Sequence, residues 1–190
     1  SLSFSKRCMG VDLEKPSARF FDEVSQSEHI EHAQVILGTD GSSSAVRKSM
    51  MNTRHFDYSQ SWLSHGYKEL NIPPLDQGTF AMEKHALHIW PRGEYMLIAL
   101  PNPDGSFTCT LFLPWEGDPS FSSLSSVEKA RAFFSDVFAD GLELMPTFDT
   151  DFQENPTSSL VTIRCSPWQQ NGQVGLLGDA AHAIVPFYGQ

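Results

Sequence analysis

The chain of 190 residues holds only three cysteines, Cys8, Cys109 and Cys165, odd in number and far apart. Such a set builds neither a disulfide framework nor a zinc site, and it suits a reducing compartment. No stretch reaches the roughly 18 consecutive apolar residues of a membrane-spanning helix. The first residues lack a basic segment leading into an apolar one, so no signal peptide is visible. Basic residues are outnumbered: 13 Lys and Arg face 23 Asp and Glu, for a net charge of −10. That balance argues against nucleic acid and against an anionic membrane face as the main partner. No internal repeat and no G-x-G-x-x-G occurs, so the usual dinucleotide fingerprint is missing. These absences point to a globular, cytoplasmic protein without a membrane segment.

Aromatic residues are plentiful. They make up 12% of the chain, with 14 phenylalanines, so an aromatic-rich core or pocket is expected. Residues 1–9 alternate weakly and read as a strand, Pro16 interrupts, and residues 20–24 read as another. The short apolar run Val35-Ile36-Leu37 ends in "GTDG", and residues 42–51 follow as a helix with serines at its start. This order suggests part of a nucleotide-binding α/β layer. From Trp62 the pattern changes to an antiparallel meander of about four strands, "SWLSHGYKELNI", "ALHIW", "YMLIAL" and "FTCTLFL". Arg92-Gly93-Glu94 and Pro103-Asp104-Gly105 are its turns. Phe107, Cys109 and Leu111 fall on one face, Thr108, Thr110 and Phe112 on the other, and Met96, Ile98 and Leu100 share a face. Both faces are partly apolar, so both are covered. Ser125 and Glu128 spell a capping box before Val127, Ala130, Phe133, Phe134, Val137 and Phe138, a helix ending near Gly141. Residues 160–165 and 174–177 read as further strands. The fold class is therefore α+β: an antiparallel sheet set between flanking pieces of an α/β layer.

Four stretches are candidates for chemistry. In "LLGDAAH", Asp179 stands at the carboxyl end of a strand, where open α/β sheets bind ligands. A carboxylate there accepts hydrogen bonds from sugar-type hydroxyls, and Gly178 lets backbone approach; equally, Asp179 could cap a turn or helix. His182 adds neither a metal site nor a general base, because no further ligand, nucleophile or orienting partner stands beside it. In "GTDGSSSAVR", Asp40 and Gly41 lie between strand and helix, with Arg47 placed either for phosphate oxygens or as an ordinary surface arginine. Leu87, Ile89, Trp90, Met96, Ile98, Phe107 and Phe112 either line an apolar pocket or pack a core. In "VPFYGQ", Pro186 and Gly189 stiffen a loop displaying Phe187, Tyr188 and Gln190 as a binding rim or a plain surface turn.

Together these stretches resemble the flavin-dependent aromatic hydroxylases. "GTDGSSSAVR" matches their D-G motif and "GLLGDAAH…P" their G-D motif. "FDYSQSWLSHGYKELNIPP" and "LHIWPRGEYMLIALPNPDGSFTCTLFLPW" are similar to the members that hydroxylate kynurenine. The resemblance runs from about Val35 to Gln190. It implies FAD as cofactor, NADPH and O2 as co-substrates, and oxygen transfer from a flavin C4a-hydroperoxide to the ring carbon of L-kynurenine beside the aniline nitrogen, with no acid–base side chain required. It implies that Gly178 and Asp179 meet the ribityl chain, that Pro186 lies beside the isoalloxazine, and that Asp40, Gly41 and Arg47 serve pyrophosphate or NADPH binding. Phe187, Tyr188 and Gln190 would meet the substrate, and Leu87, Met96, Ile98, Leu100 and Phe112 would roof its pocket. Residues 1–51 and 166–190 would then be parts of a Rossmann-like FAD layer, and 52–165 the substrate domain. The family's G-x-G-x-x-G unit, and the upstream arginine and tyrosine that fix the substrate's amino-acid end, have no counterpart here. The chain thus reads as an internal fragment, inactive alone and prone to self-association through uncovered apolar surface.

Overall fold

The computed structural model of the chain describes residues 2–185. Two compact units emerge, Ser1–Trp62 with Val161–Gln190, and Leu63–Leu160.

The first unit opens with an antiparallel meander, β1 (Lys6–Asp12), β2 (Ser17–Asp22) and β3 (Ser27–His32). Aspartates close its turns: Asp12 Oδ1 accepts from the amides of Glu14 and Lys15, and Asp22 Oδ1 from those of Val24 and Ser25. Short acidic side chains form such turns readily because they reach their own backbone two residues on. Lys6 pairs with Asp22 across β1 and β2. That lysine first, and the two turn amides after it, hold the Asp22 carboxyl well below the usual range.

A second, three-stranded sheet has the order β10 (Gln169–Gln170), β11 (Val174–Leu176), β4 (Ile36–Gly38). β11 and β4 run parallel, with Val174 opposite Ile36 and Leu176 opposite Gly38. Each leads through a glycine- and aspartate-bearing turn into a short helix, α1 (Ala45–Met50) after β4 and α5 (Asp179–His182) after β11. Val46, Met50, Val174, Leu176, Ala180 and Ala181 form the core, joined by Cys8, Val11 and Ile36. Gly38 permits this packing: a Cβ there would lie 2.8 Å from Val46 Cβ, inside van der Waals contact.

The five-stranded sheet has the order β6 (His88–Arg92), β7 (Tyr95–Pro101), β8 (Phe107–Pro114), β5 (Asp57–Ile72), β9 (Thr157–Ser166), and β6 to β5 pair antiparallel. In the second unit, Leu70, Ile72, Leu97, Ala99, Cys109 and Leu111 share a core with residues of α2 (Val127–Val137), α3 (Ala139–Leu142) and α4 (Phe148–Glu154). Phe134 is its hub, with ring centres 4.6 Å from Phe148 and 5.3 Å from Phe138. Lys68, 5% exposed, reaches the carbonyls at the end of α4, donating to Phe152 O at 3.0 Å and Asn155 O at 2.5 Å. Burial lowers its pKa.

Several sequence expectations shift. The first strand begins at Lys6 rather than at residue 1, and β3 was not anticipated. Its sequence, SEHIEH, is almost wholly exposed, so it has no apolar alternation to read. Ser126, not Ser125, caps α2, accepting from the Lys129 amide, while Ser125 receives the Lys129 ammonium. The helix stops at Val137 because Phe138 leaves helical geometry at φ −130°, ψ 39°, before α3 resumes.

Candidate functional site

Asp40 and Asp179 both follow the carboxyl ends of the neighbouring parallel strands β4 and β11. That edge is where open α/β sheets admit ligands. The two carboxylates differ in what they already hold. Asp40 is exposed, and its Oδ2 accepts from the amides of Ala45 at 2.7 Å and Val46 at 3.2 Å. With Ser44 Oγ taking the Arg47 amide at 2.9 Å, the start of α1 is satisfied. Gly41 has φ +74°, a left-handed conformation that glycine adopts without strain.

Asp179 opens the single turn of α5, and its carboxylate accepts no hydrogen bond among the described residues. It does not cap the helix: Gly178 is the N-cap, with φ +59° and no heavy atom within 4 Å of where a Cβ would stand. The amides of Ala181 and His182 both bond to Gly178 O. The result is an exposed, unengaged acid above open backbone. No group of three potential metal ligands exists among the described residues.

Of the two alternatives for Arg47, burial removes one. The residue is 2% exposed rather than a surface arginine. Its Nη1 donates to Ala180 O at 2.8 Å, its Nη2 donates to Ser42 O, and its guanidinium lies 5.2 Å from the Tyr58 ring centre. Its Nε has no partner, and no carboxylate pairs with it among the described residues. Arg47 thus ties the turn after β4 to the turn after β11.

In the second unit, register sorts the pocket candidates. Met96 stands opposite Phe112, Ile98 opposite Thr110 and Leu100 opposite Thr108. Ile89 faces Ile98 on β6, and Tyr67 faces Phe112 on β5. Opposed residues share a face, so Ile89, Met96, Ile98, Leu100, Phe112 and Tyr67 line the face turned away from α2–α4. Ile98 and Phe112 are buried there, at 2% and 3% exposure, and Tyr67 lies 6.4 Å from Phe112, centre to centre. Leu87 precedes β6 with the parity of Ile89. Trp90 and Phe107 leave the candidate set, because both pack into the helix-covered core; Trp90 Nε1 donates to Asp140 of α3 at 2.7 Å. Pro186, Phe187, Tyr188 and Gln190 lie outside the described residues.

No family model matches the chain. Curated relatives do. Kynurenine 3-monooxygenase of Dictyostelium discoideum is 54% identical over 187 residues, covering 98% of this chain and 40% of that protein. The enzyme of the same name from Myxococcus xanthus is 50% identical over 189 residues, covering 100% of this chain and 41% of its own length. The chain is homologous to a segment of the kynurenine 3-monooxygenases. It spans about two fifths of the length of the relatives it matches. Among solved structures, a variant of 2-methyl-3-hydroxypyridine-5-carboxylic acid oxygenase is similar with a TM-score of 0.67 at 22% identity, covering 95% of this chain and 45% of that one. Klebsiella pneumoniae HpxO complexed with FAD and uric acid gives 0.62 at 20% identity, covering 97% and 45%. The chain shares the fold of a segment of each of these two proteins.

Sequence reasoning passed over Cys165 and Trp168. The Cys165 thiol donates to Ala181 O at 3.1 Å, and the Trp168 ring lies tilted against His182 with ring centres 5.0 Å apart. The only sequence signal was that "RCSPW" precedes the G-D stretch closely enough to meet it.

Proposed function

We propose that this chain belongs to an FAD- and NADPH-dependent enzyme that hydroxylates L-kynurenine to 3-hydroxykynurenine with O2, working in the cytoplasm. The observation that carries the reading is 54% identity across 98% of the chain to a kynurenine 3-monooxygenase. Residues 1–51 and 166–190 supply parts of the FAD layer in this reading, and 52–165 the substrate domain.

The residues present fit a flavin. The unengaged Asp179 carboxylate has lone pairs for ribityl hydroxyls, and the open space at Gly178 lets a ligand come close to backbone. Asp40 is spent on the start of α1, so it and Gly41 shape the second turn while Arg47 holds the two turns together. Pro186 would lie beside the flavin ring. FAD, when bound and reduced, would supply the activation of O2. The protein's task is to orient an aromatic substrate and keep water away from the reacting centre. Leu87, Met96, Ile98, Leu100 and Phe112 offer that apolar surface, and Phe187, Tyr188 and Gln190 complete the rim. No proton-transfer residue is assigned.

The test is spectroscopic. The full-length protein should purify with a flavin absorbance band, and kynurenine should perturb that band at lower concentration than salicylate does. A purified protein with no flavin and no FAD uptake contradicts the reading. A stronger response to salicylate points instead to a related hydroxylase for another aromatic acid.

A further inference from the structure

A helix of one turn cannot satisfy its own carbonyls. α5 ends at His182, so those of Ala180, Ala181 and Ala183 need partners from elsewhere. Each has one. Arg47 Nη1 donates to Ala180 O at 2.8 Å, the Cys165 thiol to Ala181 O at 3.1 Å, and the Ile163 amide to Ala183 O at 2.9 Å. Two of these three anchors come from the end of β9.

The same corner is fixed from its other side. Trp168 Nε1 donates to Cys165 O at 2.7 Å, and the Trp168 carbonyl accepts from the Leu176 amide at 2.8 Å. The indole packs at a tilt against His182, the last residue of α5, with ring centres 5.0 Å apart. Cys165, Trp168, His182 and Ala181 therefore close a ring of contacts around the segment that begins with Asp179.

We infer that the β9 corner, through the Cys165 thiol and Trp168, is the positioning element that sets where the Asp179 carboxylate points. This rests on reading Asp179 as a flavin contact. Neither residue touches the cofactor in this account; both act through α5. The thiol suits the role because a thiol donates where a thiolate cannot. Burial raises the Cys165 pKa, against a weaker lowering by Arg47, and so keeps the proton on sulfur. Cys165 also lines a cleft of about 330 Å³ with Asp57, Tyr58, Ser59, Arg164 and Ser166, so a smaller side chain there can be accommodated without opening a sealed core.

The test uses Cys165→Ala and Cys165→Ser in the full-length protein. The alanine variant should weaken FAD binding about fivefold, the scale of one modest hydrogen bond. The serine variant keeps a donor and should bind within about twofold of the parent. In FAD-free protein, the amides of Ala181 and His182 should exchange about fivefold faster in the alanine variant, with those of α2 unchanged. Unchanged FAD affinity in Cys165→Ala overturns the inference, and so does a serine variant as weak as alanine. Should the parent protein take up no FAD, the flavin reading falls by itself. Exchange at Ala181 and His182 then decides the positioning alone, and unchanged rates overturn it.

Discussion

Replacing Arg47 by methionine separates a clamp from a phosphate contact. The side chain is 2% exposed and its two terminal nitrogens serve the carbonyls of Ala180 and Ser42. Methionine fills much of the same volume and leaves both carbonyls without their donor. Ser42 is only half-buried, so water can replace the lost bond there; Ala180 is fully buried, so its carbonyl goes unsatisfied. An unsatisfied buried acceptor costs about 1–3 kcal/mol, and the lost bond to a charged donor about 1.5–3 kcal/mol. Against this, the variant no longer buries a guanidinium that has no acidic partner among the described residues, which returns part of the loss. The net expectation is destabilisation by about 2 kcal/mol. Arg47→Lys, able to reach one carbonyl, should lose about half as much. Urea unfolding of the FAD-free protein measures both. If Arg47→Met keeps full stability yet binds FAD or NADPH more than about tenfold weaker, the guanidinium serves a phosphate and the clamp account is wrong.

Three further outcomes follow from particular atoms. A Cβ at Gly66 would lie 2.7 Å from Trp115 Cζ2 and 3.0 Å from the Ser158 carbonyl; Gly66→Ala should cost about 1–3 kcal/mol by thermal or urea unfolding. Cys109 is fully buried, and burial pushes its pKa up to about 12 from 9.0. Below pH 9 the thiol is protonated folded and unfolded alike, whereas above it the unfolded chain ionises first. Stability should therefore fall by about 1.4 kcal/mol per pH unit from this group as pH rises from 9 toward 12; urea unfolding should show that share of the slope gone in Cys109→Ala. Ile98, 2% exposed on the sheet face turned from the helices, belongs to the proposed substrate roof. Ile98→Ala should raise KM for kynurenine about tenfold by removing apolar contact with the ring, seen in steady-state NADPH oxidation; an unchanged KM removes Ile98 from the pocket.

How far the sequence could be read depended on how strongly each segment alternated. β8 was legible because Phe107, Cys109 and Leu111 are buried among helices while Thr108, Thr110 and Phe112 share the other face. α2 was legible because Ala130 and Phe134 recur at helical spacing and are fully buried, as is Phe138 at its cap. β3 was not, since five of its six residues are exposed and a strand held by pairing alone leaves no hydrophobic rhythm. The cap of α2 slipped by one residue because adjacent serines offer the same chemistry, and only backbone geometry chooses Ser126.

The candidate site divides in the same way. The parity of Met96, Ile98, Leu100 and Phe112 followed from local pattern, whereas spacing alone left Asp179 open as a helix cap, which Gly178 takes instead. The burial of Arg47 did not, because its partner Ala180 lies 133 residues away in the chain. Nor did the role of Cys165, whose thiol finds Ala181 across 16 residues. Spacing of single residues records local geometry, and contacts of this kind depend on which strands become neighbours.

The reaction product decides whether the enzyme is a kynurenine hydroxylase. The full-length protein, given NADPH, O2 and L-kynurenine, should oxidise NADPH and release 3-hydroxykynurenine in equal amount, measured by absorbance and chromatography on one reaction. NADPH oxidation with no 3-hydroxykynurenine, or faster coupled hydroxylation of a different aromatic acid, would contradict it.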